Sequence, residues 1–385
     1  MLGLRSVRCS MWKGFLVFIA FLLLLSLHPL GNSLAEEKEK DTFICPMECK
    51  NLEFDKPGTC PVCGMTLVEK AAFMQQDKRK KVGILLFDGV QIIDYTAPYE
   101  VFGQADFNVF TVAETKQPIT TSMNMTVTPK YEFSGTPPVD ILVVPGGSID
   151  PAMNSTKTIQ WIQTTAAKAQ YVLSVCNGAF LLAKSGLLDG LIATTFYGLL
   201  DEFAQQATKT KVVRNQRFVD NGKIITTAGL SSGFDGSLHV VSKILGKGEA
   251  QQIALHLEYN WQPDSKFARA SLADRNIPNI DWPDGTQWKF LRTEGTTDHW
   301  EMEGLVRTDM TKEELLNHIG TGLVARANWK EVKRVQNSPD SNWTFSDREG
   351  KPWKASVQVQ TAEKEQNAFV IKVILDRTKN DQAFK

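Results

Sequence analysis

Several scarcities narrow the reading of this 385-residue chain before any motif is considered. It has no net charge, because 43 Lys and Arg balance 43 Asp and Glu, so no overall field favours nucleic acid or an anionic membrane surface. Histidine is sparse, with five in all, and none falls near the most reactive-looking cysteine in sequence. Cysteine is scarce and unevenly placed: Cys9 and Cys176 stand alone, whereas Cys45, Cys49, Cys60 and Cys63 sit together. That distribution argues for a metal knuckle plus one separate thiol over a disulfide framework spread through a small fold. The length suits two or three domains.

A long apolar run occurs near the start, from Phe15 to Leu27. Arg5, Arg8 and Lys13 precede it, and Pro29, Gly31 and the small-residue site Ser33-Leu34-Ala35 follow. These are the three regions of a secretory signal peptide, so residues 1–35 are expected to be removed after Ala35. The alternative is an uncleaved membrane anchor, for which the run is short. Either outcome puts the remainder outside the cytoplasm, periplasmic or secreted, behind a charged tether at 36–42.

The knuckle spans residues 43–68. Two close-spaced cysteine pairs, Cys45/Cys49 and Cys60/Cys63, are separated by about ten residues that include the turn Pro57-Gly58. Four thiolates in this pattern can converge on one tetrahedral ion. Two disulfides are the alternative in an oxidising compartment, while a redox C-x-x-C would open a helix in a βαβ unit, and nothing around Cys60 does so. Met47 and Met65 are expected to pack, although thioethers bias a loose site toward Cu(I). The pattern Cys-Pro-Met…Cys-Pro-Val-Cys-Gly-Met resembles the small heavy-metal-binding domain often attached to metal-efflux proteins. The commonest form of that domain carries His-Pro where Glu48-Cys49 stand, so a fourth cysteine replaces a histidine here. Zinc is the expected ion, with copper as the alternative.

After a charged linker at 69–80, residues 81–261 alternate buried strands with amphipathic helices, which indicates a doubly wound, mostly parallel α/β sheet. Val82–Phe87, Asn108–Ala113, Val139–Val144 and Tyr171–Val175 read as strands. Ser155 or Thr156 caps the helix before the last of these. Asn221-Gly222 marks an appended hairpin, and two helices from about Gly233 and Gly248 close the unit. Cys176 follows the 171–175 strand directly, and Gly178 permits a tight strand-to-helix turn that aims the thiol out of the sheet. The sulfur then lies at the carboxyl edge, beside a helix N-terminus whose dipole and N–H groups favour thiolate. Gly146 and Gly147 end the neighbouring strand, and their N–H groups with that of Asn177 can form an oxyanion hole. Asp94 follows the first strand and can lie across from the sulfur, with its carboxyl pKa raised by an apolar setting.

These residues, with Leu-Phe-Asp-Gly-Val, Asp94-Tyr-Thr-Ala-Pro-Tyr-Glu-Val-Phe, Val-Pro-Gly-Gly, Ser-Val-Cys176-Asn-Gly-Ala and Ile-Ile-Thr-Thr-Ala-Gly, resemble the ThiJ/PfpI family of the class I glutamine-amidotransferase-like fold. The subgroup most similar contains isonitrile hydratases and the amidase-like domains of AraC-type regulators. The resemblance implies a flavodoxin-like sheet, a dyad of Cys176 and Asp94, a pocket lined by Gly146, Gly147 and Asn177, and a homodimer. Relatives commonly place His after the cysteine or after Ala-Thr-Thr, where this chain has Asn177 and Phe196. A Cys-His hydrolase is therefore disfavoured, leaving acid-assisted thiol chemistry on a small electrophile: hydration or hydrolysis, with no cofactor at Cys176. The alternative is a thiol or metal sensor without turnover.

Residues 262–290 read as a Pro-interrupted linker, and 291–385 as a small α+β module. In the module Trp300–Arg307 alternates as a strand, Thr311-Lys312-Glu313-Glu314 opens a helix, and two strands lie near 353–360 and 368–375. Six tryptophans, at 282, 288, 300, 329, 343 and 353, are expected to serve core packing ahead of a ligand surface.

Overall fold

The computed structural model describes residues 42–46, 49, 53–77, 79–265, 268–332, 340–363 and 365–378, with 74–77 as backbone alone. The signal segment, the tether up to residue 41, Met47 and Glu48 lie outside the described residues. No helix among the described residues is long and apolar enough to cross a membrane. The chain divides into two compact units, Met1–Phe73 and Met74–Lys385.

Among the described residues the first unit buries only a small core. Strand β1 (Phe43–Ile44) pairs antiparallel with β2 (Glu53–Phe54) and β3 (Val68–Glu69), and the buried set comprises Cys45, Cys60 and Leu67. The linker expected at 69–80 is not irregular: β3 enters it, and helix α1 occupies Lys70–Asp77. No apolar stripe announces that helix, so periodicity misses it.

In the second unit, near-continuous apolar runs form β4 (Lys81–Leu85), β5 (Asn108–Ala113), β9 (Ile141–Val144), β10 (Tyr171–Ser174) and β14 (Ile224–Thr227), as strands covered on both faces require. A small hairpin of β6 (Ile119–Thr120) and β7 (Thr126–Val127) and the short β8 (Tyr131–Glu132) fill the Thr-rich excursion. Two further short strands, β11 (Ile192–Ala193) and β12 (Lys211–Val212), pair parallel with each other. The main sheet runs β13-β14-β10-β9-β4-β5-β8, with β13 (Phe218–Asp220) antiparallel at one edge and the other six parallel. The β13–β14 turn is the expected Asn221-Gly222, with Gly222 at φ +84. Helices α2 (Ile92–Gln104), α7 (Ser232–Leu245) and α8 (Lys247–His256) pack on one face. Helices α3 (Asp150–Asn154), α4 (Thr156–Lys168) and α5 (Gly178–Lys184) cover the other, and α6 (Leu200–Gln206) leads to β12. Ser155 caps α4 through the Thr158 N–H at 3.1 Å. Strand order reverses between β4 and β9, and the chain segments leaving β4, β9 and β10 meet outside the carboxyl edge there.

The C-terminal module is a six-stranded antiparallel sheet in the order β15-β16-β20-β19-β18-β17, with helix α9 (Lys312–Ala327) against it. Its strands are β15 (Gln287–Gly295), β16 (His299–Arg307), β17 (Lys330–Val332), β18 (Asp340–Ser346), β19 (Pro352–Thr361) and β20 (Ala368–Arg377). Thr311 and Glu314 form the expected capping box. Strand β15 begins inside the expected linker, and its exposed, non-alternating residues explain why the sequence hides it. Arg348 of the module pairs with Asp201 of the α/β domain at 2.7 Å, and in the segment before the module Arg269 and Arg275 lie over the Tyr197 ring at 4.8 and 5.0 Å.

Candidate active site and metal centre

Cys176 sits where β10 ends and α5 begins, at φ +58, a left-handed conformation that costs a non-glycine residue free energy. Three hydrogen bonds hold it there. Its N–H donates to the Ala228 carbonyl at 2.7 Å, its carbonyl accepts from Thr195 Oγ1 at 2.9 Å, and the Gly178 N–H closes the turn on Val175 at 3.0 Å. The strain therefore falls on the cysteine and not on Gly178, contrary to the role the sequence suggests for that glycine. Gly178 is required for another reason: a Cβ there would meet the Val144 carbonyl oxygen at 2.1 Å.

Asp94 lies in the first turn of α2, fully buried, and shares a side-chain hydrogen bond with Cys176. Pro98 stands four residues on and has no N–H to return to the Asp94 carbonyl, so it loosens the helix beside the carboxyl group. Asp94 Oδ2 accepts from the Gly146 N–H at 3.2 Å. Burial pushes the carboxyl up to about 6, outweighing the hydrogen bonds from Cys176, Gly146 and Leu230, which lower it.

The thiol does not behave as the helix-terminus argument predicts. Burial first, and then the charge of Asp94, raise its pKa well above the ordinary thiol range, and the N–H groups of Asn177 and Leu230 offset only part of this. Desolvation defeats the dipole because α5 has seven residues and the cysteine is only 8% exposed. With the carboxyl at about 6 and the thiol raised, neutral pH favours an ionised Asp94 beside a protonated Cys176.

The expected oxyanion donors are already committed. The Gly146 N–H is spent on Asp94, and the Gly147 N–H donates to Asn177 Oδ1 at 2.8 Å while Asn177 Nδ2 donates back to the Gly147 carbonyl at 2.8 Å. Asn177 thus clamps the β9 loop with its side chain and serves the sulfur only through its backbone N–H. Close packing makes both glycines necessary: a Cβ on Gly146 would meet Asn177 Oδ1 at 2.1 Å, and one on Gly147, at φ +132, would meet the Gly89 carbonyl oxygen at 2.2 Å. The donor missed in the sequence is Leu230, at φ +55, whose N–H reaches the dyad. No residue-type signal finds it, because it acts through its backbone. Thr195 and Ala228 belong to motifs visible in the sequence, but their support of Cys176 is visible only in three dimensions.

Beside the dyad lies a cavity of about 270 Å³ lined by residues that include Thr195, Phe196, Ala228 and Leu230, with Ala268–Ala270 closing it from the C-terminal side. Phe196 packs against Gly229, where a Cβ would meet its ring at 2.5 Å. The histidines with hydrogen-bonded rings face elsewhere: His239 pairs with Asp220, His299 with Asp376, and His318 with the Asp281 carbonyl.

In the first unit, the sulfurs of Cys45, Cys49, Cys60 and Cys63 all lie within 4.8 Å of one another. Thiols this close suppress one another's ionisation, and the hydrogen bond with Cys63, ahead of desolvation, pushes Cys49 up to about 12. Four thiolates can share this space only around a cation, and the separations suit the roughly 2.3 Å metal–sulfur bonds of a tetrahedral ion. Cys45 and Cys60 are buried, and a turn from Cys60 to Gly64 (φ +73), closed by the Gly64 N–H on the Cys60 carbonyl at 2.8 Å, sets the second pair. Met65 is exposed and does not take the packing role expected of it.

Comparison with known proteins agrees with this division. The heavy metal binding domain model matches residues 42–70, and the DJ-1/PfpI family model matches residues 80–243. An isonitrile hydratase of Pseudomonas putida is 35% identical over 184 residues, covering 46% of this chain and 78% of the relative. Protein DJ-1alpha of Drosophila melanogaster is 23% identical, over 49% of this chain and 88% of its own length. Among solved structures, a ThiJ/PfpI family protein from Pseudomonas syringae aligns with a TM-score of 0.44 and 26% identity, covering 50% of this chain and 81% of that one. With a family model matched across its α/β domain and a hydratase relative matched over most of its length, this chain belongs to the DJ-1/PfpI family.

Proposed function

We propose that the α/β domain is an enzyme that adds water to a small carbon–nitrogen electrophile, isonitrile or nitrile, through a covalent thioimidate on Cys176. The observation that carries this reading is the buried Asp94 carboxylate hydrogen-bonded to a strained, protonated Cys176. As Sγ bonds to the electrophilic carbon, the Asp94 carboxylate takes the thiol proton and passes it to the substrate, giving a neutral thioimidate. Water then adds to that carbon, the C–S bond breaks, and the sulfur recovers a proton, so the net change is one water added. The N–H groups of Asn177 and Leu230 stabilise sulfur as it leaves. The similarity to an isonitrile hydratase of P. putida supports the choice of substrate class. A standing-thiolate sensor is the weaker reading, because the raised thiol pKa leaves little thiolate for oxidants.

The knuckle holds a structural ion in this reading, zinc ahead of copper(I), with its four thiolates filling the coordination shell. The signal-peptide pattern of residues 1–35 supports a location outside the cytoplasm in the same proposal, which also includes homodimerisation. The test is a panel of small isonitriles and nitriles incubated with the protein, with products followed as the gain of one water by mass spectrometry. Turnover that Cys176→Ala abolishes and Asp94→Asn lowers by at least about a hundredfold supports the mechanism. Turnover that survives both changes refutes it.

A further inference from the structure

The cavity beside the dyad has an electrostatic character that the chemistry at Cys176 leaves unused. Arg214, Arg217 and Arg269 line it, and among the described residues no aspartate or glutamate does. Phe196, Tyr197 and Leu200 supply part of the remaining wall, so the space of about 270 Å³ is apolar on one side and cationic on the other chemistry it offers. Leu230 lines it too, and the N–H of that residue reaches the dyad.

The carboxylates paired with these arginines do not cancel their charge. Arg214 and Arg348 share Asp201, at 2.8 and 2.7 Å. Arg269 pairs with Asp274 at 2.6 Å, while Arg275, stacked beside it on the Tyr197 ring, has no carboxylate partner among the described residues. Arg217 pairs with Asp235 at 2.6 Å. Five guanidinium groups are thus set against three carboxylates around one small cavity, a surplus of two positive charges. Arg217 is also held in place: its Nε donates to Asp235 Oδ2 at 2.7 Å and its Nη2 to Ser231 Oγ at 3.1 Å and Tyr259 OH at 3.3 Å, whereas Nη1 takes no part in these bonds. Asp235 is buried, and a buried ion pair adds little stability over apolar side chains of the same size, so a charge kept on a cavity wall points to what the cavity binds. Arg214 is 42% exposed and meets Asp201 through Nη2, which leaves it free to turn toward a ligand.

We propose that this cavity selects electrophiles that carry a carboxylate, with the acid group received by Arg217 and Arg214 and the short apolar body against Phe196 and Leu200. Arginine suits that role because its planar fork matches a carboxylate in both charge and geometry. The volume lies at the small end of ligand pockets, which restricts the substrate to a few heavy atoms beyond the acid. For the reacting group this inference rests on the hydratase reading; the acid subsite stands on the arginines alone. Isocyanoacetate is a minimal isonitrile of the class, and addition of one water to it gives N-formylglycine.

The test measures binding apart from chemistry, in the full chain carrying Cys176→Ala, by ligand-observed NMR titration with isocyanoacetate and with its uncharged methyl ester. The acid should bind at least about tenfold more tightly than the ester, as charge-assisted hydrogen bonds to guanidinium predict. Removing the Arg217 charge would strand the buried Asp235 and endanger the fold, so the deciding variant is Arg214→Gln, whose partner Asp201 keeps Arg348. It should bring the acid to within about threefold of the ester. Arg217→Lys, which keeps a charge beside Asp235 but loses the fork, should lower the ratio of the two affinities by a smaller factor. Equal affinities for acid and ester, no saturable binding of the acid, or a preference that Arg214→Gln leaves intact overturns the proposal. Turnover by the wild type then separates the two readings. Selective binding of the acid without N-formylglycine formation supports the subsite and refutes hydration at Cys176, whereas ester turnover with no preference for the acid supports hydration and refutes the subsite.

Discussion

The chain contains two sulfur sites built on opposite principles. At the knuckle four thiols lie within 4.8 Å of one another in a unit whose buried core, among the described residues, is two cysteines and one leucine. At Cys176 one thiol sits against an extensive apolar core, held at φ +58 by neighbours on three separate segments. In the first, the ligands form the core, so the fold depends on what they bind. In the second, the fold imposes strain and desolvation on the sulfur, and the chemistry depends on packing. Proximity of thiols raises the Cys49 pKa, whereas burial and a carboxylate raise that of Cys176, so similar directions have different causes and different remedies.

Separating the two sites gives the largest expected effect. A metal chelator should unfold residues 42–70 selectively, since a structural zinc site contributes about 10 kcal/mol or more to folding. Limited proteolysis should then cleave the knuckle and leave the DJ-1/PfpI domain resistant; equal resistance in both would show that the knuckle does not need an ion. The converse probe is Gly178→Ala. Its Cβ would collide with the Val144 carbonyl, and a loss of about 3 kcal/mol in denaturant unfolding is expected for the α/β domain, with metal content unchanged.

Asp94→Asn sharpens the account of the dyad. In the fold Asp94 ionises at about 6, above its value in the unfolded chain near 3.9, so its protonated form favours the native state. That contribution is full below about pH 4 and is lost as pH rises through about 6. The variant, which does not titrate, should therefore gain about 2 to 3 kcal/mol relative to wild type between pH 4 and pH 8, as read from urea midpoints. A constant difference across that range would mean that Asp94 is not desolvated. The smallest effect is expected for Thr195→Val, which removes one buried hydrogen bond to the Cys176 carbonyl and should cost about 1 kcal/mol.

Much of this organisation is legible in the sequence, and the exceptions share a cause. Apolar runs such as Ile141–Val144 announce buried parallel strands, and Cys176-Asn177-Gly178 announces the turn between strand and helix. Asp94 is legible as a partner of the sulfur, and the structure buries it there. What the sequence hides is which competing force wins. The residue types at the turn predict a thiolate, but desolvation is set by the whole core and reverses the sign. The Gly146-Gly147 pair predicts free donors, but Asp94 and the Asn177 amide, distant in sequence, consume them. Leu230 acts by backbone alone and β15 pairs without an alternating pattern, so neither leaves a mark in residue type.

The most direct test of the account is the pH dependence of alkylation at Cys176 by iodoacetamide, followed by mass spectrometry of the peptide containing it, in wild type and in Asp94→Asn. If Asp94 accepts the thiol proton, the wild-type rate should rise with an apparent pKa near 6, and Asp94→Asn should lose that inflection and rise only with thiolate formation at higher pH. Coincident profiles for the two proteins would contradict the dyad.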